Sequence, residues 1–249
     1  MINSYQQYGQ DGPVLVFLHY FGGVADSWQY VVAALKDDYR CICLNLPGFG
    51  GTPPLEKVSL AGMSRWVRAE LRHLQLTEVT LIGHSMGGKI AVQVAIDEPD
   101  RIARLILVAP SPPSVEPMPE SEKVRMLNHP DREEATRTVD GAIKRTITSE
   151  QRQLAIETQL IVDPATWVWW IREGMNNDIS QRATRLTLPV RVLAATDDPA
   201  IPFETIREEV VPYLQNSTLV TIDGVGHLLP FEVVDWLADQ IYGFVSSEA

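Results

Sequence analysis

Cysteine is scarce in this chain of 249 residues, which contains two, Cys41 and Cys43. They stand two apart on a predicted strand, so both side chains point to one face and cannot easily bridge each other. We expect two buried thiols in a reducing cytoplasm. No cysteine–histidine cluster in the sequence has the spacing of a zinc site, so we expect no bound metal.

Basic residues and long hydrophobic runs are also lacking. Lysine and arginine number 21 against 32 aspartates and glutamates, a net charge of −11. This balance argues against binding to nucleic acid or to an anionic membrane, because both attract basic surfaces. No run approaches the ~20 apolar residues of a membrane span, and residues 1–7 lack the features of a secretion signal. We therefore expect a cytoplasmic protein that binds neither nucleic acid nor a membrane.

The sequence does contain an alternation of strand-like and helix-like segments. The strand-like runs are mostly continuous apolar stretches, which are typical of a parallel sheet covered on both faces. They are Val14–His19, Cys41–Leu46, Val79–Gly83, Leu105–Ala109, Val190–Ala195 and Leu219–Asp223. Helix-like patterns lie between them, at Asp26–Leu35, Leu60–Leu74, Met86–Glu98 and Phe231–Phe244. The pattern predicts an α/β fold with a doubly wound, mostly parallel sheet flanked by helices.

The alternation breaks after Ala109, where five prolines follow within ten residues. About 65 residues of helical pattern without a clear strand come next. Asp163-Pro164 predicts a helix start, with an aspartate cap and a proline in the first turn. We interpret residues 111–187 as a helical cap inserted into a core domain made of residues 1–110 and 188–249.

One segment, Gly83-His84-Ser85-Met86-Gly87, joins a predicted strand to a predicted helix. Gly-x-Ser-x-Gly in this context is typical of a serine held on a sharp strand-to-helix turn. The helix that follows directs its N-terminal N–H groups at the same point. Ser85 is therefore the candidate nucleophile, although the pentapeptide alone also fits a tight turn with a capping serine.

A nucleophilic serine needs donors for the oxyanion that develops on its substrate. The loop at His19–Gly23 follows the first predicted strand and can direct a backbone N–H at the cleft. We predict an oxyanion hole formed by the N–H groups of Phe21 and Met86. The alternative is a plain βα turn that contains glycine.

Two further strand ends carry an acid and a base. Asp197 and Asp198 follow one predicted strand, and His227 follows the next after a glycine-rich turn. An aspartate there can orient an imidazole, although an aspartate beside proline is usually a solvated turn residue. His227 is the only histidine that follows both Ser85 and the aspartate pair. The order Ser, Asp, His therefore favours a catalytic triad.

These residues make the chain resemble the α/β-hydrolase fold family over nearly its whole length. The resemblance depends on His19–Gly23, the Leu46–Gly50 turn, Gly83–Gly88, Asp198–Pro202 and Gly226-His227. It implies a cap between the fourth and fifth predicted strands, that is, between the runs ending at Ala109 and beginning at Val190. It also implies that the acid stands four residues before a proline, which selects Asp198. Small bacterial serine esterases and cofactor-free perhydrolases, the non-haem haloperoxidases, are the most similar subgroups.

Tyr20 departs from the family pattern, because it stands where relatives commonly have glycine. A side chain there can narrow the acyl pocket or supply a hydroxyl, so Tyr20 is a candidate pocket residue. The resemblance implies that His19 braces this loop and that His84 packs inside the turn. Trp167 and Trp170 either pack the cap onto the core or line an apolar pocket.

The predicted function is hydrolysis of small to medium apolar carboxylic esters through Ser85, His227 and Asp198, without a metal or organic cofactor. A lactonase, an amidase or a carbon–carbon bond hydrolase would use the same triad. A dehalogenase or epoxide hydrolase is disfavoured, since such relatives have aspartate in place of Ser85. A cofactor-free dioxygenase is disfavoured because Pro110-Ser111-Pro112 offers no acid. A ligand receptor with little turnover remains an alternative, and the sequence indicates no oligomeric state.

Overall fold

The protein is built around one seven-stranded sheet. The computed structural model describes residues 4–246. Its strands are β1 (Tyr5–Tyr8), β2 (Val14–Leu18), β3 (Arg40–Leu44), β4 (Val79–His84), β5 (Ile102–Val108), β6 (Val190–Ala195) and β7 (Ser217–Ile222). The order across the sheet is β1-β3-β2-β4-β5-β6-β7. Among the described strands, only β1 pairs antiparallel, with β3, and the other five pairings are parallel. The predicted fold class is confirmed.

Helices cover both faces of the sheet. The core helices are α1 (Gln29–Leu35), α2 (Leu60–His73), α3 (Met86–Asp97), α9 (Phe203–Glu209), α10 (Leu229–Glu232) and α11 (Val234–Ser246). Side chains alternate along β2, so Leu15 and Phe17 pack in the cluster that contains α1 and α11. Val16 and Leu18 pack in the cluster that contains α2 and α3. Burial on both faces explains why the strands read as continuous apolar runs.

Strand β1 is the element that the sequence pattern did not predict. Its four residues, Tyr-Gln-Gln-Tyr, form neither an apolar run nor a strict alternation, and all four are partly buried. As an antiparallel edge strand it covers less core than its neighbours. The predicted C-terminal helix is also two helices, because α10 ends at Glu232 before α11 begins at Val234.

Five α-helices lie between β5 and β6, in the segment called here the helical insertion (residues 111–187). They are α4 (Glu120–Met126), α5 (Arg132–Ala142), α6 (Ser149–Leu160), α7 (Pro164–Arg172) and α8 (Ser180–Ala183). Helix α7 begins as predicted, with the Asp163 side chain accepting a hydrogen bond from Thr166 N at 2.8 Å. Two backbone bonds join the ends of the insertion, Glu116 N to Met175 O at 2.9 Å and Ile179 N to Pro113 O at 2.7 Å.

The insertion packs against the edge of the sheet where the parallel strands end. Tyr20, Leu228 and Phe231 from the core share an apolar cluster with α5 and α6. Within residues 4–246, no helix is long and apolar enough to span a membrane.

Candidate active site

Ser85 occupies a strained turn between β4 and α3. Its backbone is at φ 53° and ψ −119°, a region that residues with a Cβ rarely adopt. The neighbouring glycines are sterically required. A Cβ at Gly83 would lie 2.3 Å from Gly87 O, and a Cβ at Gly87 would lie 2.6 Å from Leu18 O. The turn therefore holds Ser85 at the N-terminus of α3, as the sequence pattern predicts.

Asp198 and His227 are in direct contact. His227 Nδ1 donates to Asp198 Oδ2 at 2.7 Å. The other carboxylate oxygen accepts from Ala200 N at 2.8 Å and Ile201 N at 2.9 Å. Because Nδ1 carries the proton in this bond, Nε2 of a neutral His227 is free to accept one. Ser85, Asp198 and His227 are 8%, 5% and 6% exposed, so water has little access to any of them.

His84 joins the turn that carries Ser85 to the loop that carries His227. His84 Nε2 donates to His227 O at 2.8 Å, and the two imidazole centroids lie 5.0 Å apart. In the part of the chain that the structure describes, no hydrogen bond joins Ser85 directly to His227. His84 directly precedes Ser85 in the chain. This bond therefore fixes the loop that carries His227 relative to the turn that carries Ser85.

Asp197 has a different environment from its neighbour. Its carboxylate accepts from Gly224 N at 2.8 Å and from the Thr196 hydroxyl at 3.1 Å. The bond from Gly224 is the main reason that the pKa of Asp197 is lowered. Asp197 therefore ties the β6 loop to the β7 loop at the surface and does not contact His227.

Burial and nearby carboxylates have opposite effects on the pKa of His227. Burial lowers the pKa of His227, while the Asp198 carboxylate raises it through charge and through the hydrogen bond. Glu116 and Glu232 add smaller raising contributions, and the net pKa is above the ordinary value of 6.5. A protonated imidazole at this position is thus stabilised by three carboxylates.

Two backbone N–H groups have no acceptor at this edge of the sheet. Within residues 4–246, neither Phe21 N nor Met86 N donates to any protein atom. The loop that carries Phe21 is braced by His19, whose Nδ1 donates to Tyr20 O at 2.8 Å and whose Nε2 accepts from Leu46 N at 3.2 Å. Burial lowers the pKa of His19 to about 4, so His19 is neutral and holds both bonds.

The three predicted pocket residues are largely buried. The Tyr20 ring lies 5.2 Å from the His84 ring and belongs to the cluster shared with α5 and α6. Trp167 and Trp170 pack in the main core cluster, with centroids 4.2 Å and 6.1 Å from Phe21. A groove of about 510 Å³ lies elsewhere, between α6 and the loops after β2 and β3. None of the three lines that groove, although Thr158 on its wall lies beside the Tyr20 hydroxyl.

Glu232 holds the histidine loop and was not found from the sequence. Its carboxylate accepts from Gly226 N at 2.9 Å and from Leu228 N at 3.1 Å, on either side of His227. It also accepts from Lys144 N and Arg145 N at 2.8 Å each, at the end of α5. The sequence signal, a lone acid five residues after the histidine, is too common to be recognised.

Glu116 and Lys89 form a second buried polar group behind the serine turn. Lys89 Nζ donates to Ser114 O at 2.8 Å and to Met175 O at 3.0 Å, and burial lowers its pKa to about 8. Burial raises the pKa of the Glu116 carboxyl, while the Ser111 hydroxyl and the Lys89 charge act in the opposite direction. A lysine between apolar residues of α3 is the signal that could have indicated this group. In residues 4–246, no cluster of three or more histidines, cysteines or acids could hold a metal ion.

The family of the chain follows from comparison with known proteins. A model of the alpha/beta hydrolase fold matches residues 13–160. The chain belongs to the alpha/beta hydrolase fold family. This alpha/beta hydrolase is 30% identical over 252 residues to the sn-1-specific diacylglycerol lipase ABHD11 of Xenopus tropicalis, covering 95% of this chain and 79% of that protein. It is 26% identical to the pimeloyl-[acyl-carrier protein] methyl ester esterase of Pectobacterium carotovorum, covering 98% of each.

Other matches cover less of the matched protein or show the fold alone. The alpha/beta hydrolase spans 29% of the length of an acetyltransferase component of the acetoin cleaving system from Cupriavidus necator, at 36% identity over 107 residues. The solved esterase of Exiguobacterium antarcticum superposes with a TM-score of 0.89 at 18% identity, over 97% of this chain and 94% of that one. Its likeness concerns the fold.

Proposed function

We propose that this alpha/beta hydrolase is a serine hydrolase that cleaves carboxylic esters of small to medium apolar substrates. The bond between His227 and Asp198, beside a serine on a strained strand-to-helix turn, is the observation that carries this proposal. The relatives named above include a lipase and a methyl ester esterase, both of which act on ester bonds by their names. We propose further that residues 111–187 act as a cap over the site.

In the proposed mechanism, Ser85 Oγ attacks the ester carbonyl while His227 Nε2 takes its proton. The N–H groups of Phe21 and Met86 donate to the oxyanion, and each such donor is typically worth ~2.7–4 kcal/mol. Protonated His227 then gives the proton to the leaving alcohol, and Ser85 is left acylated. Water, deprotonated by His227, releases the acid and restores the serine. Asp198 keeps His227 in the required tautomer and stabilises its protonated form throughout.

The test is a panel of p-nitrophenyl acetate and butyrate, lactones and amides on the wild type and on Ser85→Ala. We expect ester turnover with a burst of acyl-enzyme, and a loss on the order of 10⁶-fold in kcat for Ser85→Ala. Ser64→Ala is the matched control, because Ser64 is also buried but donates to Asp97, away from the site.

A matched pair of acids tests the rest of the triad. Asp198→Asn should lower kcat by about 10⁴-fold, since the amide favours the wrong tautomer of His227. Asp197→Asn should have little effect. Retained turnover in Ser85→Ala, or equal losses in the two asparagine variants, would contradict the assignment. Turnover of lactones or amides in preference to esters would instead change the substrate class, and binding without release would indicate a receptor.

A further inference from the structure

The side chain of Phe21 packs mainly against the helical insertion. Its ring centroid lies 4.2 Å from that of Trp167, with an angle of 34° between the planes. Trp170, on the same helix, lies 6.1 Å away, and Phe49 of the core lies 6.3 Å away. The closest aromatic neighbour of the proposed oxyanion donor is therefore a tryptophan of α7.

Trp167 is itself held in one position by the insertion. Its Nε1 donates to Met126 O at 2.7 Å, at the end of α4. The His129 ring stacks on it with centroids 4.1 Å apart and planes 9° apart. A ring restrained by a hydrogen bond and by contacts on its faces can transmit a position to its neighbour, because well-packed aromatic rings have little freedom.

Helix α7 is also fixed to the core beside the same loop. Asp163 N donates to Gly48 O at 2.8 Å. Gly48 has φ +85°, and a Cβ there would lie 2.3 Å from Thr166 Oγ1. Gly22, next to Phe21, has φ +90°, and a Cβ there would lie 2.6 Å from Gln159 Cγ. The insertion thus closes over the oxyanion loop without room for another side chain.

We propose that Trp167 is a positioning residue, which holds Phe21 so that its N–H points at the oxyanion. The proposal rests on the proposed function. An oxyanion donor is effective only at about 2.7–3.1 Å from the developing charge, so loss of the Phe21–Trp167 contact would misplace it. Packing of α7 against the loop thereby affects the rate of the chemical step.

The experiment measures kcat and KM for p-nitrophenyl butyrate in Trp167→Ala, Trp167→Phe and Trp169→Ala. Trp169 is the control, because it lies in the same helix and is similarly buried, but packs on Trp170 and Gly174. We expect Trp167→Ala to lose on the order of 10²-fold in kcat, with KM changed by less than threefold. Trp167→Phe should recover most of the loss, and Trp169→Ala should retain the wild-type kcat.

A second readout separates positioning from packing. A boronic acid that forms a tetrahedral adduct on Ser85 places an oxygen in the oxyanion hole, so its affinity should fall with kcat in Trp167→Ala. The proposal would be overturned by an equal loss of kcat in Trp169→Ala. A change in KM without a change in kcat, or an unchanged boronate affinity in Trp167→Ala, would also overturn it. If Trp167→Ala does not fold, Phe21→Leu removes the same contact from the other side while keeping the N–H, and should show the same loss.

The two proposals fail in different ways. Turnover that survives Ser85→Ala removes the proposed function, and the role of Trp167 with it. Turnover that requires Ser85 but is insensitive to Trp167 and Phe21 variants leaves the function in place and removes only the positioning role.

Discussion

At the scale of single residues, side chains of one type have different surroundings and different hydrogen-bond partners. Asp197 and Asp198 are neighbours in the chain, yet one bonds to Gly224 at the surface and the other to His227 in the interior. His19, His84 and His227 are all buried, but only His227 has a carboxylate partner. Its pKa is therefore raised, whereas burial lowers the pKa of His19 and His84.

The pH dependence of ester hydrolysis should report the state of His227. The proposed base acts only when neutral, so kcat/KM should rise with pH through a pKa above 6.5. Glu116→Gln removes one of the charges that raise this pKa, so the rising limb should move to lower pH. Measurement of kcat/KM between pH 5 and 9 checks both expectations.

Glu209→Gln is the control for that shift. Glu209 accepts a hydrogen bond from the Ser114 hydroxyl at 2.6 Å and is not among the main charges that raise the pKa of His227. Its limb should coincide with that of the wild type. A wild-type limb below 6.5 would mean that burial outweighs the carboxylates.

At the scale of elements, the β4–α3 turn depends on the absence of side chains. At Gly83 the turn lies against the backbone of α3, and at Gly87 it lies against the end of β2. Backbone atoms that cannot move aside therefore leave no room for a Cβ at either glycine. Gly141, in α5, has no such neighbours. Gly243, in α11, has no heavy atom within 4 Å of its Cβ position.

Alanine at these glycines should therefore have opposite effects on the free energy of unfolding. Gly83→Ala forces backbone apart and should destabilise the protein by at least ~1–3 kcal/mol. Gly243→Ala lowers the entropy of the unfolded chain in an open helix position and should stabilise it by ~0.4–1 kcal/mol. Urea unfolding of both variants measures the difference. A stable Gly83→Ala would mean that the serine turn can relax.

At the scale of the whole molecule, burial of neutral histidines makes stability sensitive to acid. The pKa of His19 is about 4 in the folded state, against 6.5 for an ordinary histidine. Between these values the unfolded chain binds a proton that the folded chain does not, so the free energy of unfolding falls as pH falls. The interval corresponds to roughly 3 kcal/mol from His19, at about 1.4 kcal/mol per pH unit. His84 contributes in the same direction.

Urea unfolding at pH 7 and pH 5 checks this expectation. Carboxylates with lowered pKa, such as Asp97 and Glu98, lose their contribution only below their ordinary values of 3.8 and 4.5. His19→Gln keeps an amide that can serve Tyr20 O and Leu46 N, and it should reduce the loss between the two pH values. An equal loss in that variant would place the proton uptake elsewhere.

Most of the fold could be predicted from the sequence, because buried parallel strands and their covering helices have strong hydrophobic patterns. Six of the seven strands appear within a few residues of their predicted bounds. The edge strand β1 could not be predicted, since two adjacent glutamines between two tyrosines carry little strand signal. The order of the strand ends also predicted which loops meet, and Asp198 and His227 do meet.

The sequence by itself determined the sheet, the glycine-framed serine and the order of the strand ends, because each depends on local pattern and chain connectivity. Only the tertiary structure decided which charges surround His227 and what Phe21 contacts. Glu116 and Trp167 are remote from His227 along the chain, and Glu232, although five residues after it, carries no recognisable signal; their positions around the site arise from packing of the insertion on the core. The interaction energy of two charges depends on their distance and their exposure to water, which no local sequence pattern encodes.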